Sequence, residues 1–149
     1  MVKAWFFDEK VSNPREPCQL ENVPLDVVEG FFAVFSLHER FLALGCKLFK
    51  FDAENKEECA SLKKIVKEQN YNFQDEITVS PKHLQEYEKK VKMFLEEHIH
   101  DDPEARGCLE GSGYFDVRDK NDKWIRISIE KGDLLIVPAG IYHRNGKKP

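Results

Sequence analysis

Cysteine is scarce and unpatterned in this chain. Its 149 residues hold four, Cys18, Cys46, Cys59 and Cys108, and no two stand at CxxC spacing. That spacing excludes a thiolate-rich structural zinc site and gives no sign of a disulfide framework. Free thiols fit a reducing compartment, so a cytoplasmic location is expected, with the nucleus also open. Long apolar runs are missing too. The most hydrophobic stretch, Val27 to Leu48, is broken by Glu29, His38, Glu39, Arg40 and Lys47, which argues against a membrane span. The start, Met1 to Asp8, lacks the apolar core of a secretory leader. Positive charge is not in excess. A net charge of -4 and a pI near 5.8 argue against a nucleic-acid partner. The basic clusters Lys63-Lys64 and Lys89-Lys90-Val91-Lys92 lie among glutamates and read as solvated helix faces.

What remains is the balance of a soluble globular protein, 41% apolar and 34% charged, long enough to bury a core. Neither repeats nor linkers divide it, so residues 1–149 are expected to form one domain. Residues 2–8 read as an aromatic-rich strand, and 13–24 as a polar loop. Leu25 to Leu44 reads as an apolar helix. Lys47 to Asp52 has the composition of a strand. Asn55 to Gln69 predicts a helix, with Cys59, Leu62, Ile65 and Val66 at helical spacing. Ile77 to Val79 predicts a short strand. Ser80-Pro81 predicts the start of a second helix, with Leu84, Tyr87, Val91 and Phe94 as its apolar stripe. From residue 98 to 144 the texture is β. Tyr114 to Arg118, Trp124 to Ile129 and Leu134 to Val137 alternate with Gly- and Asp-rich turns, the pattern of an antiparallel meander. The fold class is thus α+β, mainly β, with helices and strands in 1–97 and a metal-binding β part in 98–144.

The chemistry concentrates in that β part. His98 and His100 sit two residues apart, so in extended chain they share one face. Glu104 lies past the Asp101-Asp102-Pro103 bend and can fold back beside them. His143 follows the turn at Pro138 to Gly140. If its segment lies beside the first, three imidazoles and one carboxylate converge. Such a set without thiolate suits iron, nickel, manganese, cobalt, zinc or copper. Four protein ligands leave two positions open on an octahedral ion and none on a tetrahedral one, which favours a six-coordinate metal. His38 and His83 have helical surroundings and read as packing or solvent histidines. Asp101 and Asp102 read as a solvated turn, and Glu96 and Glu97 as surface residues.

The spacing is more specific than the ligand set. His98, His100, Glu104 and Gly111 fit one metal motif of the cupin superfamily, and Gly132, Pro138, Gly140 and His143 fit the other. Leu109 to Arg118, Lys123 to Ile127 and Pro138 to Arg144 resemble the acireductone dioxygenase family, as do Ala4 to Asp8 and Lys92 to His98. The resemblance implies a jelly-roll barrel holding one Fe2+ or Ni2+ per monomer on His98, His100, Glu104 and His143. It implies that Arg106 orients the substrate anion and that Phe94 lies near the substrate, with Glu104 and Arg106 as the catalytic pair. The implied substrates are a small-molecule acireductone and dioxygen, in methionine salvage. With iron the products would be 2-keto-4-methylthiobutyrate and formate. With nickel they would be methylthiopropionate, carbon monoxide and formate. A monomer is expected, open to protein partners.

Two segments depart from the family pattern. Gly30 to Leu44 has no counterpart. After Arg144 the polar stretch 145–149 replaces the family's further strands, which predicts an atypical tail and a barrel left incomplete at its C-terminal end. The alternative reading is a truncated, weakly active or inactive relative that works through protein–protein contacts at exposed β edges.

Overall fold

The computed structural model describes residues 3–7 and 43–147. Strand β1 spans Lys3–Phe6, β2 Lys47–Lys50, helix α1 Ala60–Glu68, helix α2 Tyr87–Leu95, and β3 Glu104–Gly107. Strands β4 (Ser112–Arg118), β5 (Trp124–Glu130), β6 (Asp133–Val137) and β7 (His143–Lys147) follow. The loop expected at 13–24, most of the helix expected at 25–44, Cys18 and His38 lie outside the described residues.

All pairings are antiparallel and build two sheets, β1-β5-β4-β7 and β2-β6-β3. The sheets face each other over an apolar interior formed by Cys46, Phe115, Val117, Ile125, Ile127, Ile129, Leu135 and Val137. Each fully buried Ile or Val there contributes roughly 1.5–3 kcal/mol. β6 explains its own unbroken apolar run. Leu135 and Val137 face the interior, while Leu134 and Ile136 pack beneath α1 with Phe51 and Ile65. A strand buried on both faces needs no alternation. The sheets do not close into a barrel among the described residues.

Several boundaries differ from expectation, each for a physical reason. The first helix starts at Ala60 rather than Asn55. Asp52 accepts hydrogen bonds from the backbone of Glu54 and Asn55, and this local turn competes with helix. The second helix starts at Tyr87, not at Pro81. Ser80 caps a single turn through its contacts with His83, and Glu86 then takes a left-handed φ of 53° that interrupts the helix. Ile77 to Val79 forms no strand. Ile77 is 49% exposed, and no neighbouring strand pairs with the segment.

The stretch expected to be an atypical tail begins as a strand. Asn145 to Lys147 continue strand β7 and pair with Gly113 to Phe115 of β4. Gly146 eases the approach of α2 to this strand. A Cβ at that position would stand 2.8 Å from Leu95 Cδ2, so the Leu95 side chain would have to shift.

Candidate metal centre

Register places the ligands before any side chain is considered. Glu104 pairs with Val137 and Arg106 with Leu135, so both share the face that looks between the sheets. His143 pairs with Val117, which lies on the inner face of the opposite sheet. The interior between the sheets is therefore where Glu104 and His143 meet.

His98 and His100 arrive from the end of α2. Glu96 turns extended, with φ -72° and ψ 137°, and ends the helix. A two-residue bridge then ties the chain to β7. The His98 N–H donates to the His143 carbonyl at 3.0 Å, and the His143 N–H donates to the His98 carbonyl at 2.9 Å. The Gly140 N–H donates to the His100 carbonyl at 3.0 Å. Gly140 sits at φ +77°, a conformation that favours glycine and turns the chain into β7. Ile99 points away and is 43% exposed, as the alternation requires.

The four groups converge. One ligand atom from each of His98, His100, Glu104 and His143 lies within 4.8 Å of the others. Donors about 2.0–2.2 Å from a common ion stand about 3 Å apart when cis and about 4 Å apart when trans. The cluster is thus close to the size of a first coordination shell. Its hydrogen bonds also suit one. His98 Nδ1–H donates to the Glu96 carbonyl at 2.9 Å, and His143 Nδ1–H donates to the Ile141 carbonyl at 2.8 Å. Both bonds leave Nε2 as the inward donor atom, the usual outer-shell arrangement of ligating histidines. The donor set fits a divalent transition metal.

The electrostatics belong to the metal-free chain. His143 Nε2 faces Glu104 Oε2 at 2.8 Å, and His100 Nε2 lies 3.6 Å from the same oxygen. Burial pushes the Glu104 carboxyl up. The hydrogen bond from His143 and the charges of Arg106 and His143 outweigh it and hold the group at about 2. Burial likewise opposes a charge on His143, yet the Glu104 hydrogen bond prevails and raises the imidazole above its ordinary value. A bound ion would take the place of that shared proton, so metal uptake would release it.

Of the expected site residues, the structure brings together His98, His100, Glu104 and His143, with Arg106 alongside. Arg106 Nε–H donates to Glu104 Oε1 at 2.7 Å. Phe94 is half-buried in the last turn of α2, and no ring contact among the described residues joins it to the histidines. His83 is bonded to Ser80, away from the cluster, and Asp101 and Asp102 are exposed in a bend. Glu97 was expected to be a plain surface residue. It instead holds Arg118 through both carboxylate oxygens, at 3.0 and 3.3 Å, and so clamps the residue before His98 to β4. Sequence reasoning also missed Asp75, which accepts from Arg106 Nη1 at 3.0 Å, and Tyr71. The Tyr71 hydroxyl is buried without a partner, and burial and the nearby Glu104 charge both raise its pKa. Neither residue carries a sequence signal, because both reach the site from a segment without regular structure.

Known proteins resemble this chain closely. Residues 3–147 match the ARD/ARD' family. Acireductone dioxygenase of Rattus norvegicus is 49% identical over 144 residues, 97% of this chain and 75% of that protein. The Homo sapiens acireductone dioxygenase is 46% identical over 145 residues, with the same coverage. A solved acireductone dioxygenase from Bacillus anthracis, with a cadmium ion in its active centre, superposes with a TM-score of 0.61. It covers 72% of this chain and 73% of its own, at 20% sequence identity, and so speaks for the fold. The chain belongs to the acireductone dioxygenase family, ARD/ARD'.

Proposed function

We propose that this chain is a metal-dependent acireductone dioxygenase that cleaves 1,2-dihydroxy-3-keto-5-(methylthio)pentene with dioxygen. The observation that carries the reading is the convergence of His98, His100, Glu104 and His143 within 4.8 Å, in a chain of this family. A bound Fe2+ or Ni2+, one per monomer, would supply Lewis acidity toward the enediol oxygens of the substrate.

The chain's own residues do the rest. The three Nε2 atoms and Glu104 Oε2 define the binding point. Glu104 Oε1 holds Arg106, so one carboxylate both completes the ligand set and aims the guanidinium. Arg106 is half-exposed, and its positive charge at the site favours the ionised enediol over the neutral one. Phe94 takes the substrate side of α2. His100, the most exposed of the three histidines, marks the open side of the centre. Residues 1–149 act as one monomeric domain, cytoplasmic and also nuclear, in methionine salvage. The iron form yields the keto acid and formate, and the nickel form yields methylthiopropionate, carbon monoxide and formate. No observation favours the alternative of an inactive relative acting through protein contacts.

The test uses metal-defined protein. Acireductone is added without oxygen, dioxygen follows, and products are identified for iron- and nickel-loaded samples. Carbon monoxide from the nickel form and the keto acid from the iron form are expected. A chain that holds no stoichiometric metal, or that holds it and leaves acireductone intact, refutes the reading.

A further inference from the structure

Arg106 leaves β3 with its guanidinium held at two corners. Nε–H donates to Glu104 Oε1 at 2.7 Å, and Nη1–H donates to Asp75 Oδ1 at 3.0 Å. These nitrogens lie on opposite edges of a rigid planar fork. One anchor would leave the fork free to swing about the Cδ–Nε bond. Two anchors fix its plane and therefore the direction of Nη2, which has no protein partner among the described residues.

Asp75 is itself firmly placed, although it lies in a segment without regular structure. Helix α1 closes with Asn70 at φ +56°. The Asn70 N–H donates to the Lys67 carbonyl at 3.2 Å, and the Tyr71 N–H donates to the Val66 carbonyl at 3.0 Å. This is a Schellman closure, which sets the exit direction of the chain. On the far side of Asp75, Glu76 pairs with Lys56 just before α1. The aspartate is thus tethered four residues upstream and one residue downstream.

We propose that Asp75 is a positioning residue, which fixes the Arg106 guanidinium so that Nη2 meets the anionic oxygen of the substrate. The inference rests on the acireductone reading above. The Arg106 and Asp75 side chains are 45% and 50% exposed, so their attraction is screened and adds little stability. What the pair contributes is orientation, and that separates it from an incidental surface contact.

Two variants and two measurements test this. Asp75→Ala removes the anchor, while Asp75→Asn keeps an oxygen that accepts from Nη1. Anaerobic titration of the nickel-loaded enzyme with acireductone reads binding without turnover. Hydrogen exchange of the Arg106 Nε–H, followed by NMR in the zinc-loaded chain, reads orientation without substrate. Asp75→Ala is expected to weaken acireductone binding about tenfold. The same variant should hold kcat within about twofold and speed the Nε–H exchange. Asp75→Asn is expected to restore most of both. Unchanged or tighter binding in Asp75→Ala overturns the proposal, the latter because Asp75 would then be a rival anion. Equal losses in the two variants also overturn it, since charge rather than orientation would be responsible. If the parent enzyme binds no acireductone, the substrate reading fails separately. The exchange measurement still decides, and an unchanged rate in Asp75→Ala refutes positioning.

Discussion

The two faces of the β1-β5-β4-β7 sheet use opposite chemistries. The inner face is apolar over Phe115, Val117, Ile125 and Ile127, and polarity enters it from β7, at His143 and Asn145. The outer face is a ladder of charges and rings. Asp116 is 2% exposed and holds Arg126 through both oxygens, at 2.6 and 2.7 Å, while Arg144 shares one of them at 2.8 Å. Arg118 and Arg144 stack on Trp124, and Arg126 and Arg144 stack on Phe7. His143 and Arg144 are neighbours in β7, yet one belongs to the His/Glu cluster and the other to this ladder. The contrast teaches a division of labour. The inner face carries the imidazole that joins the His/Glu cluster, whereas the outer face pairs carboxylate with guanidinium and holds the strand that presents His143.

The largest expected effect breaks the inner face alone. His143→Ala removes one of four donors and should take the purified chain from about one metal per monomer to almost none, with dioxygenase turnover at background. Metal analysis and product assay check this together. The backbone bridge to His98 uses main-chain atoms, so far-UV circular dichroism should be unchanged. Retention of stoichiometric metal by this variant would remove His143 from the site.

Breaking the outer face should do the reverse. Asp116→Ala removes the carboxylate that holds Arg126, 1% exposed, through both oxygens and Arg144 through one. Removing one partner of a buried ion pair costs about 3–5 kcal/mol. Urea unfolding should register that loss, while the fraction still folded keeps its metal. A loss under about 1 kcal/mol would mean that the ladder behaves as a solvated surface network.

A third measurement sharpens the comparison through pH. In the metal-free chain, Glu104 is held at about 2, below its ordinary 4.5. Its contribution to stability is present above pH 4.5 and is lost as pH falls toward 2. His143 is raised above its ordinary 6.5. Its contribution is present below pH 6.5 and is lost as pH rises through the folded value. The pair therefore stabilises the metal-free chain most between about pH 4.5 and 6.5. The urea midpoint of the parent should follow that profile, and Glu104→Gln should flatten both limbs. Parallel profiles for the two proteins would show that the pair contributes nothing.

Much of this division was readable in the sequence, and the unreadable parts share a cause. His98 and His100 on one face followed from two-residue periodicity, and His143 followed from motif spacing. The continuous run in β6 was read as a strand, though only the structure explains it, by burial under both the opposite sheet and α1. Asn145 to Lys147 read as an atypical tail because a polar, glycine-containing edge strand lacks apolar alternation, and its strand pairing shows only against β4. The start of α2 was misplaced because a glutamate with positive φ leaves no mark in composition. Asp75 was invisible because its partner lies 31 residues away, in a strand it does not pair with. Local periodicity is legible, whereas contacts made by irregular chain across the fold are not.

The smallest expected effect concerns the thiols, and it probes the interior without altering it. Cys46 is 1% exposed and packs with the inner face, and burial pushes its thiol up to about 12. At neutral pH it is almost wholly protonated, and the thiolate is the reactive form. Cys59 stands at the start of α1 on the far side of β6. A hydrogen bond with Ser61 and others from the backbone lower its pKa. Iodoacetamide at pH 7.5 should therefore label Cys59 in the folded chain and reach Cys46 only when the sheets part. Peptide mass analysis over time gives the order directly. If Cys46 labels as fast as Cys59, the space between the sheets is open to solvent. The apolar enclosure on which the centre depends would then be absent. If it labels only in urea, its rate becomes a gauge of sheet separation. That gauge should respond to Asp116→Ala and ignore His143→Ala, because the charge ladder of the outer face ties β4, β5 and β7 together, whereas the His143 side chain belongs to the His/Glu cluster.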